Sequence, residues 1–252
     1  MSMRGVILAA GRGTRLNGTA GDAPKCLLRV GGMTLLERQI GSLRRAGVHD
    51  IVVVVGCQAD RVRQSCGPGV QYVENARFGE TNSLYSLWTA RSLLYRGFVV
   101  LNCDVLFHPG LLDDLLTASH DAALLVDYRA DGQPPFGDEE MKVKIRDGLV
   151  VDMAKTLPSE DADGENLGIV KFGPLGAPVV IDILDRVVAR GGLREWAPKA
   201  FRAFARQHPL HAIGAAGRPW IEIDFPEDYQ RAVGEILPAI DGDGAARAEG
   251  AA

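Results

Sequence analysis

The chain has 252 residues, 46% hydrophobic and 24% charged, with 28 basic against 32 acidic side chains and a formal net charge of −4. That composition buries a large core without disulfides or a structural metal. It excludes a nucleic-acid binder that works by broad phosphate neutralisation, and no segment approaches the roughly 20 apolar residues that span a bilayer. Cys26, Cys57, Cys66 and Cys103 form no C-x-x-C pair, and the five histidines show no ligand spacing near them. Zinc is therefore not expected, and the cysteines read as buried, reduced thiols. Residues 1–4 run straight into a short apolar stretch, without the longer run and small-residue cleavage site of a signal peptide. The expectation is a soluble, cytoplasmic protein.

Residues 5–9 read as a strand apolar on both faces, as in the middle of a parallel sheet. A glycine-rich loop follows, then a helix over 33–46 with Leu35, Leu36, Ile40 and Leu43 as its apolar stripe and Gly47 as its end. Residues 51–55 form a second buried strand, 60–64 a short helix and 70–73 a third strand. Thr81 or Asn82 caps a helix carrying Leu84, Leu87, Trp88, Leu93 and Leu94. Residues 98–101 make a fourth strand ending at Asn102-Cys103-Asp104, Pro109 opens another helix, and 122–126 is a further strand. This alternation predicts an α/β fold with a Rossmann-like, doubly wound, mostly parallel sheet.

The rhythm changes after Asp127. Residues 131–137 are rich in Gly and Pro. Residues 141–145 and 149–153 read as a hairpin about Arg146-Asp147-Gly148, a small antiparallel insertion. A polar loop over 157–165, a strand over 169–172 and helices near 179–189 and 196–205 come next. The chain returns through Trp220-Ile221-Glu222-Ile223-Asp224 to a last helix over 226–236. The expected organisation is one domain over 1–240, in halves 1–126 and 127–240. Residues 241–252, which are Ala, Gly and acid without an apolar period, read as a disordered tail.

A strand, a glycine-rich turn and then cations form a layout in which backbone N–H groups approach a polyphosphate. Gly11 and Gly13 can take positive φ and leave room for phosphate oxygens, while Arg12, Arg15 and Lys25 supply charge-assisted donors. The dinucleotide fingerprint fails because Leu16 stands at its third glycine, and the G-K-[ST] of a P-loop is absent. A glycine-rich turn by itself reads equally well as plain turn chemistry.

The longer string is more specific. Leu8-Ala9-Ala10-Gly11-Arg12-Gly13-Thr14-Arg15-Leu16, followed by Ala23-Pro24-Lys25, resembles the signature of the nucleotidyltransferase superfamily with a GT-A-like Rossmann fold. The resemblance implies that the Leu8, Ala9, Ala10 and Gly11 backbone lies near the base. It places Gly13, Thr14 and Arg15 on the triphosphate and Lys25 on the α-phosphate, with Lys25, Arg15 and Asp104 as the catalytic set. It implies Mg²⁺ as cofactor, held by Asp104 and Asp224. Each aspartate taken alone reads equally as a local cap.

Asn75-Ala76-Arg77-Phe78-Gly79-Glu80-Thr81-Asn82-Ser83-Leu84-Tyr85-Ser86-Leu87 resembles a stretch of the phosphocholine, inositol-phosphate and phosphonate cytidylyltransferases. By that likeness Asn82 and Ser83 serve the nucleotide pocket. The region beyond Asp127 resembles their acceptor side, with Asp127 facing the acceptor, Lys155 its phosphate and Glu165 its organic part. Tyr85, Trp88, Tyr128, Phe136 and Trp220 are candidates for a ring wall around a quaternary ammonium, although Trp88 with Leu84 and Leu87 is more simply core.

The implied partners are a nucleoside triphosphate, CTP first, and a small phosphorylated or phosphonate acceptor, with no nucleic acid and no membrane. The alternatives are a sugar- or cyclitol-1-phosphate nucleotidylyltransferase using UTP, GTP or dTTP, and a non-catalytic nucleotide-sensing protein. A nicotinamide oxidoreductase is disfavoured by Leu16. The sequence leaves the oligomeric state open, a homo-oligomer included.

Overall fold

The computed structural model describes residues 3–13, 16, 23–67, 69–130, 132 and 134–242. Its first strand, β1 (Arg4–Ala9), pairs in parallel with β4 (Ile51–Val55) on one side and β6 (Phe98–Asn102) on the other. Alternate residues of these strands enter two different core clusters. Val6, Leu8, Val52, Val54 and Val100 face one way, whereas Ile7, Ala9, Val53, Val55 and Leu101 face the other. A strand buried on both faces needs such an unbroken apolar run, which is what the sequence carries.

Helices cover both faces. On one side α3 (Ser83–Thr89), α5 (Gly176–Ala189) and α6 (Pro198–Ala205) contribute Leu84, Leu87, Val180, Leu184, Phe201 and Phe204. On the other, α1 (Leu35–Arg45), α2 (Ala59–Cys66) and α4 (Pro109–Thr117) contribute Leu36, Ile40, Leu43, Val62, Leu111 and Leu115. The start of α1 falls two residues later than the apolar period suggests, because Thr34 and Glu37 form a reciprocal cap. The Thr34 amide donates to Glu37 Oε2 at 2.6 Å, and the Glu37 amide donates to Thr34 Oγ1 at 3.1 Å. Met33–Thr34 instead forms a short strand, β3, against β2 (Arg29–Val30).

The main sheet has nine strands among the described residues. With β5 (Gln71–Glu74), β8 (Ala122–Tyr128), β9 (Lys142–Arg146), β10 (Leu149–Ala154), β11 (Gly164–Phe172) and β12 (His211–Gly214), its order is β5-β4-β1-β6-β11-β8-β12-β10-β9. The doubly wound expectation holds, but β11 runs antiparallel between β6 and β8. The β9–β10 hairpin turns where expected, at Asp147 (φ 52) and Gly148 (φ 74), and it joins the main sheet through β12. Residues 164 and 165, read from sequence as loop, already belong to β11.

A second small sheet decides where the site forms. β7 (Val105–Phe107) pairs antiparallel with β13 (Trp220–Glu222), which sets a late segment beside the end of β6. Beneath it lies a third cluster of Leu16, Leu28, Val30, Leu35, Leu106, Ile221, Ile223, Leu237 and Ile240. The last helix starts as α7 (Pro226–Arg231) and continues through a wider turn over Ala232–Ile236. Asp241 and Gly242 extend this helix rather than opening a tail, and residues 243–252 lie outside the described residues. No helix among the described residues is long and apolar enough to cross a membrane.

Candidate active site

The carboxyl ends of β1 and β6 open into a cleft of about 280 Å³, where ligands of open α/β sheets collect. Leu8, Ala10, Gly11 and Gly13 line one wall, while Ala9 is core. Gly13 sits at φ +64, and a Cβ there would stand 2.8 Å from the Cβ of Lys25. The turn therefore needs glycine twice over, for its dihedral and for the close approach of the lysine stem. Among the described residues nothing lies within 4 Å of a Cβ at Gly11. Thr14 and Arg15 lie outside the described residues. Leu16, which breaks the dinucleotide pattern, is 1% exposed and anchors the loop in the third core cluster.

Lys25 opens a short 3₁₀ turn after Pro24 and is itself buried. Its ammonium donates to Asp104 Oδ2 at 3.0 Å and to Asp224 Oδ1. Burial pulls its pKa down, but the two carboxylates more than offset this and hold it above the usual lysine range. Glu222 completes the group: Asp104, Glu222 and Asp224 each offer an oxygen, and these oxygens lie within 4.8 Å of one another. Burial first, and then repulsion from Asp104 and Asp224, pushes the Glu222 carboxyl up to about 8.

These residues fit a hard divalent cation. Asp104 and Asp224 face one ammonium in a partly buried cleft, and the raised Glu222 carboxyl beside them is a third oxygen donor that a bound cation would favour in its ionised form. Asp104 Oδ1 is buried without a hydrogen-bond partner. Oxygen donors of this kind are what Mg²⁺ takes. At the start of α7, Asp228 Oδ2 accepts from the amides of Asp224 and Phe225, while Asp224 Oδ1 accepts from Lys25.

The opposite wall comes from the start of α3. Asn82 caps the helix, its side-chain oxygen accepting from the Ser83 amide at 2.8 Å, and both residues line the cleft with Thr81 and Ser86. Ser83 Oγ accepts from the Ala197 amide at 2.9 Å, while the Asn82 and Leu84 amides donate to the carbonyls of Leu193 and Glu195. These bonds tie the wall to the segment that places Trp196 at the rim. Asn75 braces it from behind, with Nδ2 donating to Thr81 Oγ1 at 3.0 Å and Ser86 Oγ at 3.1 Å.

Asp127, Lys155 and Glu165 do not line this cleft. They form an adjoining group. Asp127 Oδ2 accepts from Trp220 Nε1 at 2.9 Å. Lys155 Nζ donates to Glu139 at 3.1 Å and stands 4.3 Å from the ring centroid of Trp196, which itself lines the cleft. Burial, followed by the negative charges of Glu140 and Asp127, raises Glu165 to about 7, with Lys142 and Lys155 pulling the other way.

None of the five candidate rings lines this cleft. Tyr85 and Trp88 pack against each other with their rings tilted by 32°, Trp88 Nε1 donates to Asp185, and Trp220 turns its Nε1 to Asp127 instead. The aromatic lining of the cleft is Phe78 and Trp196. Glu222 is missing from the set expected on sequence, although period-two alternation in Trp220-Ile221-Glu222-Ile223-Asp224 carries the signal. Ile221 and Ile223 go to the core, which leaves Glu222 and Asp224 together on the other face.

Residues 5–220 match the MobA-like NTP transferase domain. A bifunctional IPC transferase and DIPP synthase of Rubrobacter xylanophilus is 34% identical over 231 residues, which is 89% of this chain and 50% of that protein. The chain thus spans about half the length of that relative. A choline-phosphate cytidylyltransferase of Streptococcus pneumoniae is 26% identical over 240 residues, covering 93% of this chain and 98% of that one. The inositol-1-phosphate CTP transferase from T. maritima shares the fold, with a TM-score of 0.78 at 22% identity over 95% of this chain and 96% of that one. A match running from the first strand of the sheet to the first residue of β13 takes in nearly every element that builds the cleft, and on it the chain belongs to the MobA-like NTP transferase domain family.

Proposed function

We propose that the chain transfers CMP from CTP to the ionised oxygen of a small organic phosphate or phosphonate, releasing pyrophosphate. One observation carries this reading: Lys25 and the carboxyl groups of Asp104, Glu222 and Asp224 meet beside the glycine turn after β1. The acceptor oxygen forms a bond to the α-phosphorus as the bond to the bridging oxygen of pyrophosphate breaks, in line with the attack. A phosphomonoester has its second pKa near ~6, so the nucleophile arrives ionised and the site needs no general base. Lys25, kept cationic by its partners, stabilises charge that develops on the α-phosphate. Gly13, Thr14 and Arg15 cradle the phosphates, the backbone of Leu8, Ala9, Ala10 and Gly11 runs along the base, and Asn82 and Ser83 complete the nucleotide pocket. Asp104, Glu222 and Asp224 would hold a Mg²⁺, which supplies Lewis-acid neutralisation of phosphate charge. Asp127 and Glu165 orient the organic part of the acceptor, and Lys155 meets its phosphate after leaving Glu139.

The cytosine preference is supported by the likeness to a choline-phosphate cytidylyltransferase along 98% of that enzyme. Pyrophosphate release should be measured over CTP, UTP, GTP, ATP and dTTP against phosphocholine, 2-aminoethylphosphonate, inositol phosphate and sugar-1-phosphates. Turnover confined to CTP with a non-sugar acceptor is the expected outcome. Turnover confined to UTP or dTTP with a sugar phosphate overturns the base and the acceptor. Nucleotide binding without pyrophosphate from any pair makes the protein a sensor rather than an enzyme.

A further inference from the structure

Gln39 lies on α1 among Leu36, Ile40 and Leu43 and is 1% exposed. Its Nε2 donates to the carbonyl of Asn102 at 2.8 Å and to that of Val105 at 2.9 Å. Those carbonyls stand at the two ends of the turn that carries Asp104. Both amide hydrogens are used, which leaves Oε1 buried without a partner. The reversed amide is excluded, because it would set Oε1 against two carbonyl oxygens. An apolar side chain would fill this space without stranding an acceptor. What it would lack is the clamp. From the opposite side the Ile223 amide donates to the Asp104 carbonyl at 3.0 Å, so the turn is gripped between α1 and the late segment.

We propose that Gln39 is a positioning residue which, by clamping both ends of the 102–105 turn from behind, fixes the Asp104 carboxylate for the cation. The proposal rests on Asp104 being a cation ligand. Groups that orient a metal ligand commonly matter about 10–100-fold in metal affinity, although they never touch the ion.

The test replaces Gln39 by Met, which fills the volume without donors, and by Glu, which keeps the shape but turns oxygens toward the carbonyls. Mn²⁺ binding to the purified full chain is read by electron paramagnetic resonance without substrates, and backbone hydrogen exchange is followed by mass spectrometry. The expected result is Mn²⁺ affinity lowered about 10-fold or more, with faster exchange confined to the peptides spanning 102–106. Mn²⁺ affinity within about two-fold of wild type in a folded variant overturns the proposal, because that falls well short of such a role. Faster exchange spread through α1 and the sheet overturns it too, as it would mark a packing defect. If Gln39→Met fails to fold, Gln39→Glu is read by the same outcomes. A wild type that binds Mn²⁺ while the variants match it sinks Gln39 alone, whereas a wild type that binds none removes the cation site as well.

Discussion

At Lys25 burial and ion pairing oppose each other, and ion pairing wins. A lysine held this far on the cationic side does not act as a base at neutral pH, so its contribution is charge. Lys25→Ala is expected to lower turnover ~10²-fold or more while leaving the fold intact, as for loss of a preorganised donor. Steady-state pyrophosphate release and a thermal melt on the same preparation check this, and near-normal turnover would remove Lys25 from the chemistry. The residue is legible in the sequence because it stands in a recognisable string, and Asp104 and Asp224 are legible for the same reason. Trp196 is not. The apolar period sets it at the start of a helix, but α6 begins only at Pro198, and the segment before it is tied to the start of α3 by hydrogen bonds between positions far apart in sequence.

Among the elements, the turn after β1 shows how closely conformation and chemistry are joined. An alanine at Gly13 must adopt positive φ, at about 1–2 kcal/mol, and its methyl group meets the stem of Lys25. Gly13→Ala is therefore expected to lower the thermal midpoint modestly but turnover by on the order of 10²-fold, since a small misplacement at a reacting centre has that scale of effect. Gly11→Ala provides the contrast, because its Cβ meets nothing among the described residues and the fold should not register it. Equal loss of stability in the two variants would contradict the strain at Gly13. In the sequence the glycines point to phosphate only as part of the longer string that ends at Lys25, since a glycine-rich turn by itself is ordinary turn chemistry. Why one of them must be glycine is hidden there, because the reason is a contact with a residue on another element. The reciprocal cap at Thr34 and Glu37 is the opposite case, a feature written locally in the chain.

For the whole molecule, the alternation of strand and helix announces a doubly wound sheet, but not that β11 inserts antiparallel between β6 and β8. Pairing order depends on contacts between distant strands, and periodicity carries no information about those. The global balance of stability carries its own signature at Glu165, whose carboxyl is raised to about 7 by burial and by Glu140 and Asp127. The unfolded chain ionises this group near 4.5, so the folded state loses relative stability as pH rises from there through about 7. Glu165→Gln removes that cost. Its stability gain in urea unfolding is expected to be near zero below pH 4.5 and on the order of 1–3 kcal/mol at pH 8. A gain that does not change with pH would show that charge is not its source.

The pairing of β13 with β7 has a consequence for synthesis. Lys25 and Asp224 are 199 positions apart. A chain emerging from the ribosome can therefore shape its phosphate turn early, yet it lacks two of its three carboxylates until residues 222 and 224 appear. A fragment that stops short of them lacks two of the three carboxyl groups that line the cleft. Competence for the proposed reaction thus waits on Glu222 and Asp224, long after the turn and Lys25 have been made.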